Sequence, residues 1–230
     1  MKTIGLLGGM SWESTVTYYQ LINTAVKERL GGFHSARCLL HSVDFAEIEA
    51  CQARGDWGRA GELLGEAAAG LERAGADFLL ICTNTMHKVA PQIAEHLSIP
   101  ILHIAEATAD ELEERGIRTV GLLGTKYTMQ QDFYKDKLLE RGLQVLVPGE
   151  EEMELVNSVI FDELCKGVVS ETSKAAYLSI IARLAEHGAQ GVILGCTEIG
   201  LLVSQEDTSV PLFDTAYIHA SRAAALALEI

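Results

Sequence analysis

Gly75-Ala-Asp-Phe-Leu-Leu-Ile-Cys-Thr-Asn-Thr85 and Gly188-Ala-Gln-Gly-Val-Ile-Leu-Gly-Cys-Thr-Glu198 are two versions of one pattern, 113 residues apart. Each opens on Gly-Ala, runs through a short apolar stretch and ends in small polar side chains. A short continuous apolar run bounded by glycine reads as a strand buried on both faces, because no solvent-facing position interrupts it. The repeat extends outward from this pair. Thr3-Ile-Gly-Leu-Leu-Gly-Gly9 matches Thr119-Val-Gly-Leu-Leu-Gly-Thr125 at an offset of 116, and Ile99-Pro-Ile-Leu-His-Ile-Ala105 matches Val210-Pro-Leu-Phe-Asp-Thr-Ala216 at an offset of 111. Three matches in the same chain order, with an offset that drifts by only a few residues, indicate two copies of one unit.

Strand patterns at 4–7, 37–42, 78–82, 99–103, 119–123, 144–147, 191–194 and 210–213 alternate with helical patterns at 13–29, 57–74, 88–96, 105–115, 129–141, 151–165, 173–187 and 215–228. Gly31, Gly75, Gly116, Gly142 and Gly188 follow helical stretches, where a left-handed residue ends a helix. The alternation predicts an α/β fold with two similar lobes related by a pseudo-two-fold, each a mainly parallel four-stranded sheet flanked by helices. Residues 1–104 plus 215–230 make the first lobe and 105–214 the second, with the active site expected in the interlobe cleft. Open α/β sheets bind ligands past the carboxyl ends of their strands. The repeat register sets Thr83 opposite Cys196, Asn84 opposite Thr197 and Thr85 opposite Glu198 at those ends.

Composition narrows the partners. The 230 residues carry 18 Lys and Arg against 32 Asp and Glu, a net charge of −14. Such a chain lacks the cationic surplus that binds nucleic-acid phosphates or anionic membranes. Its longest apolar stretches fall far short of the roughly 20 residues that span a bilayer. The five cysteines form no C-x-x-C pair, and the opening Met1-Lys-Thr-Ile-Gly-Leu-Leu7 is too short a core for a signal peptide. The expectation is a cytoplasmic protein with reduced thiols.

Cys196 follows Gly195 at a strand-to-turn step, where a neighbouring helix N-terminus would lower its pKa and supply thiolate. A thiolate beside a weak carbon acid acts as a general base, and the thiol returns the proton. Thr83, Asn84 and Thr85 offer hydroxyl and amide donors to a carboxylate. Gly8-Gly9-Met10-Ser11 lacks both G-x-G-x-x-G and G-K-[ST], which argues against a nucleotide, but backbone N–H groups at Met10 and Ser11 suit a small anion. The matching loop is Gly124-Thr125-Lys126-Tyr127-Thr128. Asp44, Gln52 and Arg54 follow the second strand, and Lys166 ends a predicted helix. No histidine spacing suits zinc, so no metal is expected, and no G-x-S-x-G nucleophile elbow occurs.

Leu7-Gly-Gly-Met-Ser11, Thr83-Asn-Thr-Met-His87, Leu122-Leu-Gly-Thr-Lys-Tyr-Thr128, Gly195-Cys-Thr-Glu198 and Asp214-Thr-Ala-Tyr-Ile-His-Ala220 together resemble the aspartate/glutamate racemase family. The resemblance runs essentially end to end. It implies cofactor-independent inversion of an amino-acid Cα, and a homodimer. In the family two cysteines flank Cα; the second matches Cys196, while the first position is Thr83 here. A threonine hydroxyl is a far weaker acid than a thiol, so the two directions should be unequal. By this likeness Cys196 serves the L-enantiomer, which should exchange its α-proton faster. The resemblance further implies that Asn84, Thr85 and Thr197 hold the α-carboxylate, that Thr125 and Thr128 line the site, and that Lys166 pairs with a side-chain carboxylate. The arginine that aspartate-specific members carry after the second strand is absent from its place, with Gln52 or Arg54 as substitutes. Met10, Ser11, Gln52 and Glu198 complete the expected substrate-binding set. Aspartate, glutamate and a neutral amino acid such as homoserine stay open. The alternatives are a single-cysteine lyase or isomerase of the same fold, decarboxylase-like, and a non-catalytic amino-acid-binding protein.

Overall fold

The computed structural model describes residues 1–229. In chain order the elements are β1 (Thr3–Gly8), α1 (Trp12–Leu30), β2 (Arg37–Ser42), α2 (Phe45–Arg54), α3 (Trp57–Arg73), β3 (Phe78–Ile81), α4 (Ala90–Ala94), α5 (Ile104–Glu114), β4 (Thr119–Gly124), α6 (Lys126–Gln130), α7 (Asp132–Glu140), β5 (Gln144–Leu146), α8 (Glu150–Asp162), α9 (Glu171–Glu186), β6 (Val192–Gly195), α10 (Ile199–Leu202), β7 (Leu212–Asp214) and α11 (Thr215–Leu228). The chain divides into two compact units, Met1–Ile104 with the chain from His219 onward, and Ala105–Ile218. Ile230, which the expected first lobe includes, lies outside the described residues.

In the first unit the parallel sheet runs β2-β1-β3. β1 is central, and Ile4, Leu6 and Leu7 expose nothing, as befits a strand paired on both sides and covered on both faces. Leu7, Ile48, Leu64, Ile81, Met86 and Ile93 join β1, α2, α3, β3, the turn after it and α4 in one core. Each such side chain contributes about 1.5–3 kcal/mol relative to leaving it in water. The end of α11 closes on this unit through Lys2 N–H to Ala227 O at 2.8 Å.

The second unit carries the parallel sheet β5-β4-β6-β7. Its ladders repeat those of the first in register. Gly5 pairs with Leu39 and Leu79; Gly121, its repeat partner, pairs with Leu146 and Val192. Val192 is the repeat partner of Leu79.

Segment 99–103 departs from the four-strand expectation. It makes only a single parallel bridge, Leu79 to Ile101, so the first sheet has three strands. Leu79 N–H donates to Pro100 O, and Leu102 N–H to Leu79 O, both at 2.9 Å. The next ladder groups on that side are Leu102 O and Ile104 N–H, and imidazoles take both. Leu102 O accepts from His219 Nε2 at 2.7 Å, and Ile104 N–H donates to His87 Nε2 at 3.2 Å. In the second unit the same ladder continues through Leu212, Phe213 and Asp214.

Three helical expectations also shift, and one further helix appears. α2 was not predicted; Asp44 starts it by accepting from Ala46 N–H, and Gly55 ends it in the left-handed region. The predicted helix 88–96 is a 3-10 turn (Thr85–Val89) followed by α4. The stretch 129–141 splits into α6 and α7 where Gln131 is extended, and 151–165 ends early, leaving a 3-10 turn (Leu164–Lys166). Among the described residues no helix is long and apolar enough to cross a membrane.

Candidate active site

In the second unit β6 delivers Gly195 and Cys196 to the sheet's carboxyl end beside β4. Gly195 is needed for close approach: a Cβ there would lie 2.8 Å from Leu123 O and 3.3 Å from the Thr128 side chain. Thr128 therefore abuts the Gly195–Cys196 step. Thr125 caps α6, its hydroxyl accepting from Thr128 N–H and lying 3.3 Å from the Thr128 hydroxyl. Both threonines are buried.

Cys196 is partly exposed and packs against the core of this unit. Its thiol donates to Glu198 Oε2 at 2.9 Å. Burial, then the Glu198 carboxylate and its hydrogen bond, then Cys165, push the thiol pKa well above its ordinary value. This corrects the expectation of a lowered pKa. α10 spans only four residues, and the carboxylate beside the sulfur opposes thiolate formation. The resting group is a neutral thiol with a proton acceptor in contact.

Lys166 ends the turn Leu164–Lys166, next to Cys165, and that turn as a whole contacts α10. Its ammonium is exposed and pairs with Asp162 Oδ1 at 3.2 Å, an interaction of small worth in solvent. Thr197 and Glu198 are partly buried.

In the first unit Thr83 stands just past β3, partly buried, with Asn84 and Thr85 buried behind it. Ser11 caps α1 by accepting from Ser14 N–H, and Ser14 Oγ donates to Cys82 O at 3.4 Å, which joins the β1 loop to the β3 end. Met10 is 4 % exposed and belongs to the core. Gln52 Nε2 donates to Met86 Sδ at 2.8 Å, holding α2 against the turn that bears Thr85. Asp44 serves as the α2 cap, and Arg54 is exposed at the other end of that helix. Thus the first unit brings together Ser11, Gln52, Thr83, Asn84 and Thr85. The second brings together Thr125, Thr128, Cys196, Thr197 and Glu198, while the Lys166 ammonium is turned to solvent and Asp162.

Sequence reading weighed His87 only as a metal ligand and gave it no role at Thr83. The imidazole is buried, and its Nδ1 donates to Thr83 O at 2.8 Å. The four-residue spacing from Thr83 was the available signal. His103 and His219 lie with ring centroids 4.6 and 5.7 Å from that of His87. Both nitrogens of His87 and of His219 have protein partners. Among the described residues no group of three His, Cys, Asp or Glu is placed to hold a metal ion.

Comparison with known proteins adds an independent line. A family model described as Asp/Glu/Hydantoin racemase matches residues 7–223. The chain is 27 % identical over 151 residues to the broad specificity amino-acid racemase RacX of Bacillus subtilis, a match covering 66 % of this chain and 65 % of that relative. Among solved structures, a candidate Asp/Glu racemase from Yersinia pestis superposes with a TM-score of 0.95 at 54 % identity, covering 100 % of both chains. An aspartate racemase homologue from Pyrococcus horikoshii superposes with a TM-score of 0.89 at 39 % identity, again over 100 % of both.

Proposed function

Because this chain belongs to the Asp/Glu/hydantoin racemase family, we propose that it is a cofactor-independent racemase of amino acids, with aspartate and glutamate as the leading substrates. Cys196 is the acid/base on the L-face of Cα, and Thr83 serves the opposite face. Asn84, Thr85 and Thr197 receive the α-carboxylate. Thr125, Thr128, Met10, Ser11 and Gln52 shape the site, and Lys166 meets a side-chain carboxylate.

The observation that carries this reading is the contact between the Cys196 thiol and Glu198 Oε2. Transfer of the thiol proton to Glu198 is uphill, because the carboxylate also raises the thiol pKa; the small fraction of thiolate it yields is a correspondingly strong base, and it takes the α-proton. The electron pair of the broken C–H bond then delocalises into the substrate carboxylate. Reprotonation from the far face, by the Thr83 hydroxyl or a water it holds, gives the other enantiomer; the alkoxide or hydroxide left behind takes a proton from solvent, and Glu198 gives its proton back to solvent. General-base catalysis of this kind contributes about 10²–10⁴-fold. The hydroxyl is the weaker acid and the weaker base at neutral pH, so proton exchange at its face is the slower of the two.

The chain acts in a cytoplasmic, reducing setting as a homodimer. Trp12, Val16 and Tyr19 on one face of α1, and Leu40 on edge strand β2, supply exposed apolar surface for self-association.

Proton NMR in D₂O tests the reading. α-Proton loss from L-aspartate or L-glutamate should outpace loss from the D-enantiomer, and Cys196→Ala should remove it. Exchange from neither enantiomer would refute racemisation. Carbon dioxide release from a dicarboxylate would point to a decarboxylase-like lyase instead.

A further inference from the structure

We propose that His87 is the positioning residue for Thr83, an inference that rests on the racemase reading and extends it. The imidazole lies across two chain segments. Ile104 N–H donates to Nε2 at 3.2 Å, so Nε2 carries the lone pair and Nδ1 the proton. That proton is given to Thr83 O at 2.8 Å. A neutral ring of fixed tautomer thus pins the Thr83–Asn84 peptide to the start of α5.

A second histidine braces the first. Leu102 O can only accept, so His219 donates to it from Nε2 at 2.7 Å and takes the Tyr18 hydroxyl on Nδ1 at 2.9 Å. The segment that supplies Ile104 N–H is therefore fixed two residues upstream.

The repeat supplies a built-in contrast. Position 87 corresponds to Gly200 in the second unit. There the carbonyl of Cys196 accepts from the backbone N–H of Ile199 at 3.1 Å. Helical backbone holds the residue bearing the acid/base thiol, whereas an imidazole holds the residue bearing the hydroxyl. A weak acid and base like threonine gains most from fixed placement, since misplacement by about 1 Å costs on the order of a hundredfold in rate.

Two conservative variants separate the ring's two bonds. Asparagine sets an amide near the Nδ1 position and keeps a donor for Thr83 O; glutamine reaches toward Ile104 and leaves Thr83 O without its imidazole donor. α-Proton exchange in D₂O is measured from each enantiomer separately, beside the thermal midpoint. His87→Gln should slow exchange of the D-enantiomer by about 10- to 100-fold while leaving the L-enantiomer within about twofold. His87→Asn should keep D-exchange within about threefold of the parent. Equal slowing of both enantiomers in both variants, in step with a lowered thermal midpoint, would overturn the positioning role. If the parent protein exchanges neither enantiomer, the racemase reading falls. His87 is then judged by the ¹³C carbonyl resonance of Thr83. That resonance should move in His87→Gln and hold in His87→Asn; a shift unmoved in both overturns the proposal.

Discussion

The first and second units lay three strands down in one register and then treat the fourth differently. In the second unit β7 continues the ladder through Asp214. In the first, Leu102 O and Ile104 N–H leave the ladder for His219 and His87. A second exchange accompanies this one. The first unit fills the sheet from β3 with Phe78, which is 1 % exposed, whereas the matching residue of the second unit is Gly191. Phe213, at the place of Leu102, lies over that glycine instead. One ring has moved to the neighbouring strand. A repeated backbone thus tolerates different side-chain solutions, provided that volume and hydrogen bonds are conserved.

The largest effect is expected where the units differ in chemistry, at Glu198 against Thr85. Glu198→Gln should lower L-enantiomer exchange at neutral pH by about a hundredfold. The same change should also lower the midpoint pH of Cys196 alkylation by iodoacetamide, because the carboxylate raises the thiol pKa. Readouts moving in opposite senses mark Glu198 as a proton acceptor. An unchanged exchange rate would leave it a bystander.

Packing comes next. A Cβ at Gly191 would sit 2.6 Å from the Phe213 ring and 2.9 Å from Pro211 O, so Gly191→Ala should cost about 2 kcal/mol in urea unfolding. Adding Phe213→Leu, the first unit's arrangement, should recover part of the loss. No recovery would mean that the ring is not what the Cβ meets.

Thr83→Cys makes the two units alike at the positions proposed to react. Exchange from the D-enantiomer should rise by about tenfold, since a thiol is the stronger acid and its thiolate is reached far more easily. A flat response would argue that residue 83 does not face substrate.

The histidines add an effect that appears only on acidification. Burial pushes the pKa of His219 down to about 3 and that of His87 well below its ordinary value. The unfolded chain takes up protons near pH 6.5 while the folded one does not. The His219 contribution is therefore complete above about pH 6.5 and is lost as pH falls toward 3, by about 1.4 kcal/mol per pH unit; His87, shifted in the same direction, adds to the decline. Urea unfolding at pH 7 and 5.5 should show the decline. His219→Gln, which does not titrate, should flatten it; an equal decline in that variant would shift the cause elsewhere.

Much of this was legible in the chain. The repeats starting at Thr3 and Thr119 marked two copies of one α/β unit, and the small polar residues after 82 and 195 marked the strand ends. The single bridge at Ile101 was not legible, because 99–103 and 210–213 read alike; two rings from positions 87 and 219 make the difference. Nor was α2, whose start depends on one Asp44 side chain. The raised pKa at Cys196 was misread for a related reason. A Cys-Thr-Glu spacing does not say whether the carboxylate turns toward the sulfur.

The alternation of strands and helices along the chain, the burial of the strands and the pairing of Thr83 with Cys196 in the repeat came from the sequence by itself, since apolar periodicity is a local property written residue by residue. Folding alone decided which ladder groups meet histidines, which strand fills the space at Gly191, and that a carboxylate rests on the Cys196 thiol. Those outcomes depend on side chains distant in sequence or free to rotate, whose direction only close packing fixes.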